Sequence, residues 1–386
     1  MKTALVHFNH SSNENLTTWP DMRTSKWKPN YGDMLVCAAI LREVPMEDTV
    51  RIGFGGVLSQ PVDRALIRGS TYLHNNMDFE AVNKTLDSID APLAIVGLGA
   101  QNPTQDVGFL DQNEGAKGFV ARLDERSKSI SVRGQFTADL LERLGAKNIR
   151  ITGCPSLFYT LKCPQVSIPA RLSSRKRAIG ISLHSGLMGN IYCVAPKEAR
   201  RAHVDAIQYG IKECAKLSLF EQGVMTEFKV ADSQLPMIER MEAAAAVIKN
   251  IAGENELTPQ DLVRHMVSVR SIEEWLSLAA ELDAIIGFRF HGNMVALLQG
   301  KPCFYFVYDS RITEFCQLYK LPYQDVREEW KDPVQAMMEH DWDAANAAIQ
   351  ACQNELKLFY QENGFSIATS DPANKKEKQS DCGAGI

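Results

Sequence analysis

Arg289 and His291 stand two positions apart in GFRFHGNMVALLQGKP (287–302), between the apolar run AIIGF and a helix-like apolar stretch that ends at Gly300, before Pro302. That context puts Arg289, Phe290, His291 and Gly292 in a strand-to-helix turn. Backbone N–H groups at a helix start favour anions. A guanidinium beside an imidazole can therefore grip a carboxylate or a phosphate with a proton-transfer group at hand. The plainer alternative is an ion-paired arginine and a hydrogen-bonded core histidine. A cation between two apolar segments is costly to bury unless an anion meets it, which leans toward the first reading.

Arg133 repeats the arrangement in SVRGQFTADLLERLG, after a short apolar strand and before a helix, with Gly134 able to let a ligand approach the backbone. An arginine in an ordinary surface loop fits those residues equally well. In NYGDMLVCAAI (30–40), Gly32 and Asp33 precede an apolar helix. Asp33 suits an N-cap, and at a cleft it could also act as a base toward a sugar hydroxyl. Two glycine turns follow strands, GFGGVL with Gly55 and Gly56, and GLGAQ with Gly99 and Gln101. Neither completes a dinucleotide fingerprint, since Asn102 stands where the third glycine would fall. His184 ends another strand, where it could face a cleft or only terminate the strand. DWD (341–343) resembles a metal-binding D-x-D, but capping of a following helix explains it better. No metal site is expected.

These turns need elements to hold them. TALVHF (3–8), VRIGF (50–54), LAIVGLG (93–99), SISV (129–132) and IRITG (149–153) read as strands, with Phe136, Leu140, Leu141 and Leu144 forming one face of an intervening helix capped at Gly145. Pro, Ser and basic residues in 163–177 mark a linker before AIGISL (178–183). MTEFKV (225–230), AIIGF (284–288) and CFYFVY (303–308) read as further strands, with a helix over 271–282. The expectation is an α/β chain with two Rossmann-like parallel-sheet domains, 1–165 and 178–330, facing a cleft. Helices over 331–366 and a loose tail over 367–386 complete it.

With 386 residues, 45% of them hydrophobic, two lobes are expected rather than one core. A net charge of −5 disfavours nucleic acid as a partner. Nine scattered cysteines without a C-x-x-C pair point to reduced core residues. No apolar run has the length of a membrane span, and His7 and His10 come too early for a secretory leader, so a cytoplasmic location is expected.

Together NYGDMLV, GGVL, IVGLGAQ, SVRGQFTADLLERLGAKNIRITGCPSL and IIGFRFHGNMVALLQGKPCFYFVYDSRITEFCQLYKLP resemble the polysaccharide pyruvyl transferase family across most of residues 28 to 325. The family commonly has Asp after the middle arginine, where this chain has Gly134. The resemblance implies a GT-B-like fold and transfer of pyruvate from phosphoenolpyruvate to a sugar of a polysaccharide, exopolysaccharide or precursor, as a cyclic ketal with release of phosphate. It implies no cofactor beyond that donor. Arg289, Arg133, Arg311 and Gly292 would bind phosphoenolpyruvate, with His291 as proton donor and Asp33 as base. Gly32, Gly55, Gly56, Gly99 and Gln101 would contact the acceptor or shape its loops. A lipid-linked acceptor would bring the protein to the inner face of a membrane. The competing readings are a GT-B glycosyltransferase using a nucleotide sugar and a non-catalytic saccharide-binding protein.

Overall fold

A computed structural model describes residues 1–8, 18–25, 29–253 and 256–368. Most of the expected tail, 369–386, lies outside the described residues. The first half holds strands β1 (Lys2–Val6), β2 (Asp48–Ile52), β3 (Arg64–Arg68), β4 (Thr71–Leu73), β5 (Leu93–Val96), β6 (Gly99–Ala100), β7 (Ile130–Val132) and β8 (Ile149–Ile151). The second holds β9 (Ala178–Ser182), β10 (Lys216–Phe220), β11 (Met266–Val267), β12 (Ala284–Gly287), β13 (Cys303–Val307) and β14 (Tyr323–Asp325).

In the second half the strands run in the order β11-β10-β9-β12-β13-β14, all parallel. Numbered within that sheet the order is 3-2-1-4-5-6, the dinucleotide-fold arrangement, which reverses direction between β9 and β12. Strands β9, β12 and β13 are buried along their whole length. That explains their unbroken apolar sequences, since helices cover both faces of a parallel sheet.

The first half orders β2-β1-β3-β5, all parallel, and Leu98 bridges to Val132 to bring in the β7–β8 pair. Backbone breaks at Gly69 and Gly97 split off the short β4–β6 pair. Gly97 has φ 72°, and a Cβ on Gly69 would fall 2.1 Å from the Val96 carbonyl oxygen, so both breaks need glycine. The two halves are thus Rossmann-like parallel sheets in a GT-B-like arrangement, with helices Pro333–Met338 and Trp342–Glu362 following the second.

The structure corrects several sequence assignments. MTEFKV lies in a helix, Met225–Ala231, not a strand; its buried residues Glu227, Phe228 and Val230 face inward with helical spacing. Asp33 is not the N-cap of its helix. Tyr31–Glu43 begins two residues earlier and is capped by Asn30, whose side chain accepts the Asp33 backbone N–H at 3.4 Å. Asp341 does cap helix Trp342–Glu362, accepting from the Ala344 N–H at 3.0 Å.

Candidate active site

Ser182 at the end of β9 pairs with Gly287 at the end of β12, so the sheet's reversal point brings those two carboxyl ends together. Gly287 has φ 142°, and a Cβ there would lie 2.5 Å from Ser182 Oγ. The Ser182 hydroxyl donates to Asn293 Oδ1 at 2.6 Å and accepts the Arg289 backbone N–H at 3.1 Å. This network fixes Arg289 as the N-cap residue of helix Phe290–Leu298 and places His291 in its first turn.

Arg133, Arg289, Arg311, His291 and Asp33 all line one cavity of about 310 Å³. Asn30, Ser70, Thr71, His184, Gln222 and Tyr308 share the lining, with Phe290. A larger groove of about 640 Å³ at the amino ends of β3 and β5 contains none of the candidate chemistry, so size alone is a poor guide here.

Each arginine is held differently. Arg289 donates through Nε to the Leu183 carbonyl and through Nη2 to the Glu227 carboxylate at 3.1 and 3.2 Å. Glu227 is fully buried, and the pair supplies the anion that burying Arg289 requires. Arg133 is 5% exposed, with Nε on the Gly97 carbonyl at 2.9 Å and Nη2 on the Gly69 carbonyl at 3.4 Å. No ion pair to Arg133 occurs among the described residues, and its guanidinium lies 5.7 Å from the Phe290 ring centroid. Arg311 faces Asp309 at 3.5 Å, while its Nε is buried without a hydrogen-bond partner.

A half-buried His291 completes the group. Its Nε2 lies 3.8 Å from Cys154 Sγ, and a Cβ on Gly32 would fall 2.3 Å from Nδ1. Burial, and then the charges of Arg133, Arg311 and Arg68, hold this imidazole well below its ordinary value, so it is neutral at pH 7. An arriving anion would offset those cations and raise its proton affinity.

The family model for polysaccharide pyruvyl transferase matches residues 5–310. The chain belongs to that family. None of the curated proteins matches the sequence. Among solved structures, the family member is similar to the Anabaena protein HepE in complex with UDP and glucose, at 10% identity and TM-score 0.46, covering 94% of this chain and 95% of that one. It is similar to the Methanocaldococcus jannaschii UDP-GlcNAc 2-epimerase in complex with UDP-GlcNAc and UDP, at 12% identity and TM-score 0.43, covering 91% and 99%. It is also similar to the trehalose-6-phosphate synthase OtsA, at 8% identity and TM-score 0.41, covering 79% and 73%.

Other residues expected at the site of this pyruvyl transferase family member support the cavity from behind. Gly292 is a packing residue whose Cβ would meet Ser182 Cβ at 2.6 Å. Gly99 underlies Arg133, with 3.0 Å from a Cβ to Arg133 Cδ. Gln101 donates to Asp309 Oδ2 at 2.7 Å and so steadies the acid beside Arg311. Gly55 and Gly56 lie elsewhere, in the turn after β2, where Gly55 donates its N–H to the Ala81 carbonyl.

Sequence reasoning missed Arg68, Glu227, Gln222 and Tyr308. Arg68 is buried, donates Nε to the His7 carbonyl at 2.8 Å and approaches Asp33 Oδ1 at 2.9 Å. Its signal was available, since RALIRGS ends an apolar run with an arginine before a glycine, as SVRG does.

Proposed function

We propose that this protein transfers pyruvate from phosphoenolpyruvate to two hydroxyls of a sugar, forming a cyclic ketal and releasing phosphate. What supports the reading is the convergence of Arg133, Arg289, Arg311 and His291 on one polar cavity. A donor carrying both a carboxylate and a phosphate needs at least two cationic sites, and guanidinium groups suit each of them. Arg133 is the least committed of the three, because only carbonyl oxygens hold it.

In this mechanism the donor's charge raises the proton affinity of His291, which then protonates the methylene carbon. The central carbon becomes electrophilic, a sugar hydroxyl adds to it, phosphate departs and a second hydroxyl closes the ring. The second half, residues 178–330, supplies Arg289, Arg311 and His291 and is the donor side. The first half, residues 1–165, offers Asn30, Asp33, Ser70 and Thr71 to the acceptor. A free or a lipid-linked saccharide would fit this scheme. Among the described residues, no helix is long and apolar enough to cross a membrane.

The test is incubation with phosphoenolpyruvate and methyl glycosides of glucose, galactose, mannose and N-acetylglucosamine, with mass detection of product and assay of phosphate. Pyruvylated glycoside is expected, with His291→Ala slowing turnover by about 10²–10⁴-fold. Consumption of a nucleotide sugar in place of phosphoenolpyruvate would transfer the assignment to glycosyl transfer.

A further inference from the structure

Ketal formation moves protons to carbon, from two hydroxyls and to phosphate, and Asp33 is ion-paired with Arg68. The reversal point of the second sheet presents another group. His184 follows β9, lines the same cavity and is held by both of its chain neighbours. Arg289 Nε binds the carbonyl of Leu183, while Glu227 accepts the Ser185 N–H at 3.0 Å and the Ser185 hydroxyl at 2.6 Å. The Arg289–Glu227 pair therefore clamps the chain on either side of His184. His203 Nε2 accepts the His184 backbone N–H at 3.3 Å, and Tyr308 packs edge-on against the ring at 6.0 Å.

This much support fixes the residue's place, yet its Nδ1 is buried without a hydrogen-bond partner. Glu227, packed beside it, spends its carboxylate on Arg289 and Ser185. Burial first, then the charges of Arg289, His203 and Arg311, keep the imidazole well below its ordinary value. It is thus unprotonated at pH 7, in a cavity it shares with Arg289 and Arg311.

The geometry points to His184 as the second proton-transfer residue of the cavity, carrying a proton from the first attacking hydroxyl to the departing phosphate. This rests on the pyruvyl-transfer reading. His291 gives a proton to the methylene carbon as the first hydroxyl oxygen bonds to the central carbon, and that hydroxyl's proton passes to His184. The bond from the central carbon to the bridging oxygen then breaks, its electron pair staying on phosphate, which takes the proton from His184. The second hydroxyl bonds to the central carbon and its proton goes to His291. Both histidines end as they began, and the products are the ketal and hydrogen phosphate.

The test compares wild type, His184→Gln and His184→Ala with phosphoenolpyruvate and the four methyl glycosides, reading phosphate release, phosphoenolpyruvate binding by calorimetry and thermal unfolding. Expected are a kcat loss of about 10²–10⁴-fold and a Kd for phosphoenolpyruvate within about threefold of wild type. Added imidazole should restore part of kcat to His184→Ala, which a merely structural role would not permit. A kcat within about threefold of wild type in His184→Gln would overturn the role, as would an equal loss of binding and turnover without imidazole rescue. Wild type inactive with every glycoside would overturn the underlying reading and this role together, whereas active wild type beside equally active variants would overturn the role alone.

Discussion

A Cβ built on Gly134 would fall 2.3 Å from Cγ of Glu314, so the space next to Arg133 is filled by a carboxylate from the opposite half of the molecule. Glu314 Oε1 accepts the Thr137 N–H at 2.6 Å, and Oε2 accepts the Thr137 hydroxyl at 3.0 Å. It thereby caps helix Gln135–Arg143, whose own N-cap residue, Gly134, has no side chain for the task. The family resemblance leads to an aspartate at residue 134; here residue 314 supplies a carboxylate at that place.

This exchange can be tested directly. Gly134 has φ 177°, extended backbone open to any residue, so the obstacle to a side chain is Glu314 itself. Gly134→Asp alone should destabilise the protein by about 1–3 kcal/mol through overpacking. Combined with Glu314→Ala it should recover much of that loss in urea unfolding, whereas strictly additive losses would refute the relationship.

Glu314 should also leave a mark on stability as pH changes. Burial, partly opposed by the Thr137 hydrogen bonds, raises its carboxyl from 4.5 to about 7. The folded state then holds a proton that the unfolded chain has released, so stability falls as pH rises from the lower value to the upper one. The slope is up to about 1.4 kcal/mol per pH unit. Urea melts at pH 5 and pH 8 should show wild type losing stability relative to Glu314→Gln. A gap that stays constant, or widens in wild type's favour, would contradict it.

Arg133→Ala should act on His291 and on the donor at once. Removing one of the cations that depress the imidazole should raise its proton affinity, seen as an upward shift of its titration by NMR. Loss of a charged hydrogen-bonding group should also weaken phosphoenolpyruvate binding by roughly 1.5–3 kcal/mol. An unmoved histidine titration would mean that the two side chains do not interact across the cavity.

Gly32→Ala poses opposing effects on one helix. Alanine in a helix is favoured over glycine by about 1 kcal/mol, but the new Cβ would stand 2.3 Å from His291 Nδ1. The collision should win at the site, with kcat for phosphate release falling by about 10²-fold as the ring is pushed aside. Unchanged turnover would show that the ring's position against this helix is immaterial.

The buried strands were legible because parallel strands covered on both faces appear as plain apolar runs, and the arginines beyond β7 and β12 stood out against them. Strand β3 was not, because Arg64 and Arg68 at its ends hide Ala65, Leu66 and Ile67, and Arg68 went unseen with it. MTEFKV misled for another reason. Thr226, Phe228 and Val230 alternate as in a strand, yet the helix turns Glu227 inward to reach Arg289, a long-range demand that local pattern does not carry. Glu314 was equally hidden, because its purpose becomes visible only when Gly134 and Thr137 are brought beside it.

Helix Trp342–Glu362 is the last helix among the described residues, yet it completes the first half. Arg150 on β8 is ion-paired with Glu355 at 2.5 Å and with Glu362, and Tyr360 donates to the buried Glu43 at 2.6 Å. During synthesis, then, the β7–β8 flank must wait until Glu362 has left the ribosome before its cover arrives. Until that moment a nascent chain carries an open sheet surface, and the interval is when it would most need a chaperone.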